Sequence, residues 1–253
     1  VGHNAFECRR SGGINLVHER LQTLQDEQAK RYYVFEPIGA PKDCHVTRTG
    51  KIQKIKGDLM TARYPAPEIK DLPDDIRAKV LEVQEKAGFV PNVFLALARR
   101  PAEWRAFFAY HDALMLKEDS GLSKGDREMI VTTTSAANNC LYCVVAHGAI
   151  LRIYEKKPLV ADQVAVNYRK ADITPRQRAM LDFAMKVCQH SDEIEEADFA
   201  ALHAHGFNDE DIWDIAAITA FFGLSNRMAS FSGMMPNPEF YVMGRIPKAK
   251  PAA

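Results

Sequence analysis

From Leu72 onward, apolar residues recur every three or four positions in segments separated by Pro, Gly or a capping residue, with little strand-like alternation. The pattern predicts an all-α chain. Asp74 or Asp75 opens a helix through Ile76, Val80, Leu81 and Val83 that Gly88 ends. Pro91 starts a short helix, and Pro101 sits in the first turn of a third that carries Trp104, Phe107, Phe108, His111 and Leu114. Ser123, with Asp126 three residues on, reads as an N-cap box leading into Met129, Ile130 and Thr133; Asn138 and Asn139 break this helix before another begins near Cys140. Further helices are expected from Pro158 to about Tyr168, from Thr174 and Pro175 to Cys188, and through Phe199 to His205, stopped by Gly206. Asn208 with Asp211 then caps a long apolar helix through Trp213, Ile215, Ile218 and Phe222. The Phe and Trp stripes belong to the core on this reading.

A capped helix, a short break and an apolar helix occur around Ser123 to Tyr154 and again around Thr174 to Met228. The bundle would then contain a duplicated helical hairpin of which the first copy alone keeps cysteines. Residues 1–59 lack helical periodicity and hold one β-prone run, Tyr32 to Phe35. They read as an extension, either native or an upstream translated stretch ahead of a natural start at Met60. Cys8, Cys44, His3, His18 and His45 are scattered in it without ligand spacing. Residues 60–240 form the helical domain, and the Pro- and Lys-rich residues 241–253 a loose tail.

Composition narrows the function. Lys plus Arg and Asp plus Glu both number 33, so no net positive field gathers nucleic acid or an anionic membrane. The longest apolar stretch, Ile212 to Leu224, is interrupted by Asp214 and is shorter than the roughly 20 residues a membrane span needs. The start of the chain has no secretory-signal pattern, which makes the cytoplasm the expected compartment. Of five cysteines, Cys140 and Cys143 alone are close together, unlike the even framework of a small secreted domain.

The chemistry concentrates in Glu128, Cys140, Cys143 and His147. At about 100° per residue, Cys140, Cys143 and His147 fall within an arc of roughly 60° on one helix face. Val144 and Leu151 beside that arc imply a half-buried face. In a first turn, unpaired N–H groups and the helix dipole favour a thiolate, and two cysteines three apart can close into a disulfide once one is oxidised. His147, one turn after Cys143, suits a general base; Glu128, on the preceding helix of an antiparallel hairpin, could orient its ring.

Blander readings compete. The same four residues could supply zinc ligands, but a Cys-x-x-Cys on one continuous helix is not the usual knuckle, and no second pair completes a conventional site. A thioredoxin-like fold needs a strand before the motif, and none precedes Cys140. Cys188 reads as core packing, and His203 and His205 as groups at a helix C-terminus. His111 and Tyr110 could line a pocket but are more simply packed residues. No bound metal, haem or flavin is expected.

The string Glu128-x11-Cys140-x2-Cys143-x3-His147 resembles the signature of the AhpD-like alkylhydroperoxidases, a superfamily that also holds the carboxymuconolactone decarboxylases. The segments Gly88 to Pro101 and Phe221 to Ala229 resemble its uncharacterised peroxidase-related subgroup. The resemblance implies an all-helical bundle assembling into trimers or hexamers, with Cys143 as the peroxide-attacking thiol, Cys140 as the resolving thiol, and His147 with Glu128 as proton relay. It also implies a hydroperoxide substrate and an external dithiol, a lipoylated protein, as electron donor. Where the better-known members carry a histidine before the second cysteine, this chain has Tyr142, a possible relay or pocket residue. A disulfide reductase or redox sensor using the same pair, and a non-redox decarboxylase-type enzyme, are the alternatives.

Overall fold

The computed structural model describes residues 64–245, and these contain helices and no strand. The extension expected at 1–59, its cysteines and histidines, and the tail beyond Arg245 lie outside the described residues. Within them run α1 (Asp74–Ala87), α2 (Asn92–Ala98), α3 (Pro101–Met115), α4 (Lys124–Ala137), α5 (Leu141–Glu155), α6 (Val160–Asn167), α7 (Pro175–Gln189), α8 (Glu196–Ala204), α9 (Asp209–Ser232) and α10 (Pro238–Val242). None of these helices is long and apolar enough to cross a membrane.

The capping signals act where the sequence places them. Ser123 with Asp126, Thr174 with Gln177, and Asn208 with Asp211 each form a reciprocal capping box, satisfying backbone donors that a helix start leaves free. Gly88 ends α1 at φ 83°, a left-handed conformation that glycine adopts without a Cβ penalty. The helix expected through Phe199 is α8, started by a box between Glu195 and Asp198.

Helix α4 is the axis of the bundle. It packs against α5, α6, α7 and α9, and every residue from Gly125 to Ser135 is buried. Much of that run is polar, which is costly in an interior unless each group finds a partner. Thr134 Oγ1 donates to Ile130 O at 2.8 Å, and Arg127 donates to Met115 O at 3.1 Å, at the C-terminal end of α3. Ile130 and Val131 meet Ile215, Ile218 and Phe222 of α9 and Met180 and Leu181 of α7 in the main core. Trp213, expected in that core, is instead 72% exposed: Ile212, Ile215 and Ile218 take the inward face of α9, and the indole falls on the other.

Helices α4 and α5 form a hairpin joined by three residues. Asn139, at φ 53°, makes the turn, a conformation that asparagine tolerates better than most residues. In the second half of the suggested duplication, a 3-10 turn and α8 separate α7 from α9, so the short break is confined to the first hairpin. The chain is anchored through Arg245, whose guanidinium makes two 2.7 Å bonds to Asp162. Arg152 of α5 reaches the same region, donating to Met243 O and Phe240 O at 2.9 Å.

Candidate active site

The α4–α5 turn sets the site. Cys140 is the N-cap of α5, held from behind by its N–H to Ser135 O at 2.9 Å and from ahead by Val144 N–H to its own carbonyl at 3.1 Å. Cys143 lies in the first turn. Both are free thiols, each 1% exposed, in an apolar cluster with Ala96, Ala146, Ala149 and Ala229. Burial alone would keep both protonated. Instead, a hydrogen bond from the Cys143 thiol and the Cys143 backbone N–H hold Cys140 well below the ordinary thiol value. Cys143, as the donor of that bond and buried beside the resulting charge, is pushed up. These contacts favour the anion on Cys140 over Cys143.

His147 and Glu128 come together across the hairpin, with His147 Nδ1 2.7 Å from Glu128 Oε2, and both side chains are largely buried. The ring of His147 meets Phe222 edge to face, centroids 4.7 Å apart. No hydrogen bond joins His147 to either sulfur among the described residues, so the acid–base pair and the thiol pair stand as neighbouring units on α5.

Other sequence candidates fall elsewhere. Tyr142 is buried, its hydroxyl accepts from Val93 N–H at 3.2 Å, and burial raises its pKa. His111 is half-buried, bonds Asp112 at 2.9 Å, and reaches the site only through the edges of Phe221 and Phe222. Cys188, expected in the core, is half-buried and lies 4.0 Å from Thr134 O. His203 pairs with Asp209 on the exposed surface. No group of three or more His, Cys, Asp and Glu side chains among the described residues is arranged to hold a metal ion.

Sequence reasoning missed the α9 side of the thiol pocket. Ser225 Oγ lies 3.9 Å from Cys143 Sγ, and Ser230 contributes to lowering the pKa of Cys140. Asn226, between them, is buried; its Oδ1 accepts from Asn138 at 2.9 Å and its Nδ2 donates to Ser135 Oγ at 2.8 Å. A cue existed: Ser225 and Asn226 are a polar pair inside the apolar run of α9. A separate apolar groove of about 660 Å³ runs along α9 beside Phe107, Tyr110, Leu224 and Phe231, and neither cysteine lines it.

Comparison with known proteins agrees with this architecture. The carboxymuconolactone decarboxylase family model matches residues 101–158, a span containing Glu128, both cysteines and His147. An uncharacterized peroxidase-related protein with an alkylhydroperoxidase AhpD core, from Ralstonia eutropha JMP134, is 77% identical, with a TM-score of 0.73 over 75% of this chain and 98% of that one. A peroxidase-related protein from Silicibacter sp. TM1040 is 45% identical, with a TM-score of 0.70 over 77% and 100% of the two chains. The debrominase Bmp8, 19% identical over 71% of this chain and 94% of its own, shares the fold with a TM-score of 0.60. No curated protein gives a significant match.

Proposed function

We propose that this chain, which belongs to the AhpD-like carboxymuconolactone decarboxylase superfamily, is a thiol-dependent peroxidase that reduces hydroperoxides through Cys143 and Cys140. The observation that carries the reading is a buried pair of free thiols at the start of a helix that also bears a carboxylate-held histidine. Transfer of the Cys143 proton to Cys140, or through a water to His147, makes Cys143 the nucleophile. Its sulfur attacks the terminal oxygen of the hydroperoxide, forming an S–O bond as the O–O bond breaks, and the departing alkoxide takes a proton and leaves as alcohol. Cys140 then attacks the Cys143 sulfenic acid, expelling water and closing the disulfide, and an external dithiol returns two electrons and two protons. With Nδ1 engaged by Glu128, Nε2 is the nitrogen of His147 left to exchange protons with the pair.

A lipoyl-type dithiol on a partner protein is the proposed donor, and a trimer or hexamer the proposed assembly. Exposed apolar side chains such as Trp213, Leu224 and Phe231 support self-association. The test mixes the reduced protein with an organic hydroperoxide, counts thiols and examines the product by mass spectrometry. Two thiols should be lost per hydroperoxide, with a Cys140 to Cys143 bridge; loss no faster than in Cys143→Ser ends the peroxidase reading. The preference for the anion on Cys140 favours one second use of the pair, as a disulfide reductase, which turnover of a dithiol with a disulfide but not with peroxide would select.

A further inference from the structure

We propose that Asn226 holds the negative charge of the CxxC pair, its side-chain amide serving both sulfurs as an oriented neutral donor in a pocket that brings them no cation. The inference rests on the thiol-pair reading above but not on the identity of the oxidant. A buried thiolate needs either a nearby positive charge or several hydrogen bonds. Among the described residues, no hydrogen bond brings a Lys, Arg or His side chain to either sulfur. The donors are the α5 backbone and the side chains of α9.

Those side chains divide the work unequally. Ser225 lies 3.9 Å from Cys143, and Ser230 acts on Cys140 alone, so each serves one sulfur. Asn226 is buried beside both: it bonds Ser135, whose carbonyl receives the Cys140 N–H, and adjoins Ser225, 3.9 Å from Cys143, and its amide acts to lower both thiols. Its amide is fixed from two sides: Oδ1 is turned to Asn138 Nδ2, and one Nδ2 hydrogen goes to Ser135 Oγ. The second Nδ2 hydrogen is left for sulfur. A donor common to both thiols stabilises the charge on whichever sulfur gives up its proton, as a proton moving between Cys140 and Cys143 requires. The other titratable or charged groups around the pocket are Tyr142 beside the pair, His147 with Glu128 further along α5, Cys188 on α7 behind Asn138, and Arg227 next to Asn226 in sequence.

The experiment uses the reduced full-length protein without peroxide, following thiolate absorbance and iodoacetamide alkylation across pH. In Asn226→Asp the thiolate midpoint should rise by about one pH unit, leaving roughly tenfold less thiolate at neutral pH. Asn226→Ala should rise less, and Asn138→Ala, which frees the amide to turn, should shift in the same direction while sparing the buried position itself. A lowered melting temperature with an unmoved midpoint in these variants means that Asn226 only supports the fold, and overturns the proposal. If the Asn226 variants do not fold, an unmoved midpoint in Asn138→Ala overturns it equally. A wild-type pair that titrates and shifts as described but ignores hydroperoxide sinks the peroxidase reading and leaves this one standing.

Discussion

Replacing Tyr142 by Phe separates two roles for the residue just before the second cysteine. In the fold its hydroxyl accepts the N–H of Val93, the second residue of α2. That N–H is one of the donors a helix start leaves without an internal partner, and Asn237 Oδ1 takes the one before it, from Asn92, at 2.8 Å. Tyr142 thus caps α2 from a distance. Deleting the hydroxyl keeps the ring in its cluster and strands a part-buried donor, at a cost of about 1–2 kcal/mol. For a domain of this size that corresponds to a fall of about 2–8 °C in melting temperature. Burial raises the phenol pKa, so the hydroxyl stays protonated at neutral pH and does not act as a base. Thiol loss in hydroperoxide should therefore stay within about twofold of wild type, since no reacting proton depends on the bond to Val93. Thermal denaturation and stopped thiol counts on the same preparations decide the matter. An unchanged melting temperature with oxidation slowed tenfold or more would falsify the capping role and return Tyr142 to the relay.

Further outcomes follow from other contacts. Cys143→Ala removes the strongest cause of the lowered Cys140 pKa, so the pH midpoint for alkylating Cys140 should move upward, read by mass-resolved labelling. The sign for stability runs the same way: with Cys140 lowered in the fold, the unfolded chain binds more protons between the folded and ordinary thiol values. The reduced protein should gain stability as pH rises through that window; the raised Cys143 reverses the trend above the ordinary thiol value, and denaturant titrations across pH would reveal both limbs. Asn237→Ala breaks bonds to Asn92 N–H and Val90 O and should cost about 2–3 kcal/mol in urea unfolding, with the unfolding slope unchanged. Arg245 and Asp162 pair on the surface, so a double-mutant cycle should give about 0.2–1 kcal/mol, fading at high salt.

What the chain discloses before folding is what short-range geometry decides. The capping boxes at Ser123, Thr174 and Asn208, and the break at Asn138 and Asn139, are local, and their positions hold in three dimensions. The approach of Glu128 to His147 also follows from local facts, because a hairpin with a three-residue turn leaves few ways for residues at those distances from the turn to avoid each other. The α9 half of the site is different in kind. Ser225 and Asn226 lie more than 80 residues from Cys143, and only the crossing of α9 over the α4–α5 hairpin delivers them. Trp213 illustrates the same limit in the core: helical periodicity says that α9 has an apolar face, but packing against α4 and α7 selects which of its apolar residues point inward. The direction of the Cys140–Cys143 hydrogen bond is likewise a property of the turn. Cys140 as N-cap lies beside the backbone N–H of Cys143, whereas Cys143 is already inside the helix.

The same placement bears on how the pair behaves once oxidised. In the reduced state the backbone N–H of Cys143 and the amide of Asn226 favour an anionic sulfur, and charge-assisted bonds of that kind are about twice as strong as neutral ones. Closing the disulfide discharges the anion. The donors stay where the fold holds them, since Asn138 and Ser135 fix the amide and α5 fixes its own backbone, but a neutral disulfide sulfur is a poor acceptor. The surroundings thus favour the dithiol over the disulfide, and a couple whose reduced form is favoured is the more oxidising and the more readily reset by an external dithiol. A structural disulfide needs the opposite bias. Burial of both sulfurs then acts on access: it admits a small hydroperoxide more easily than a bulky oxidant, while resetting requires a slender dithiol arm or a local opening of the turn at Asn139.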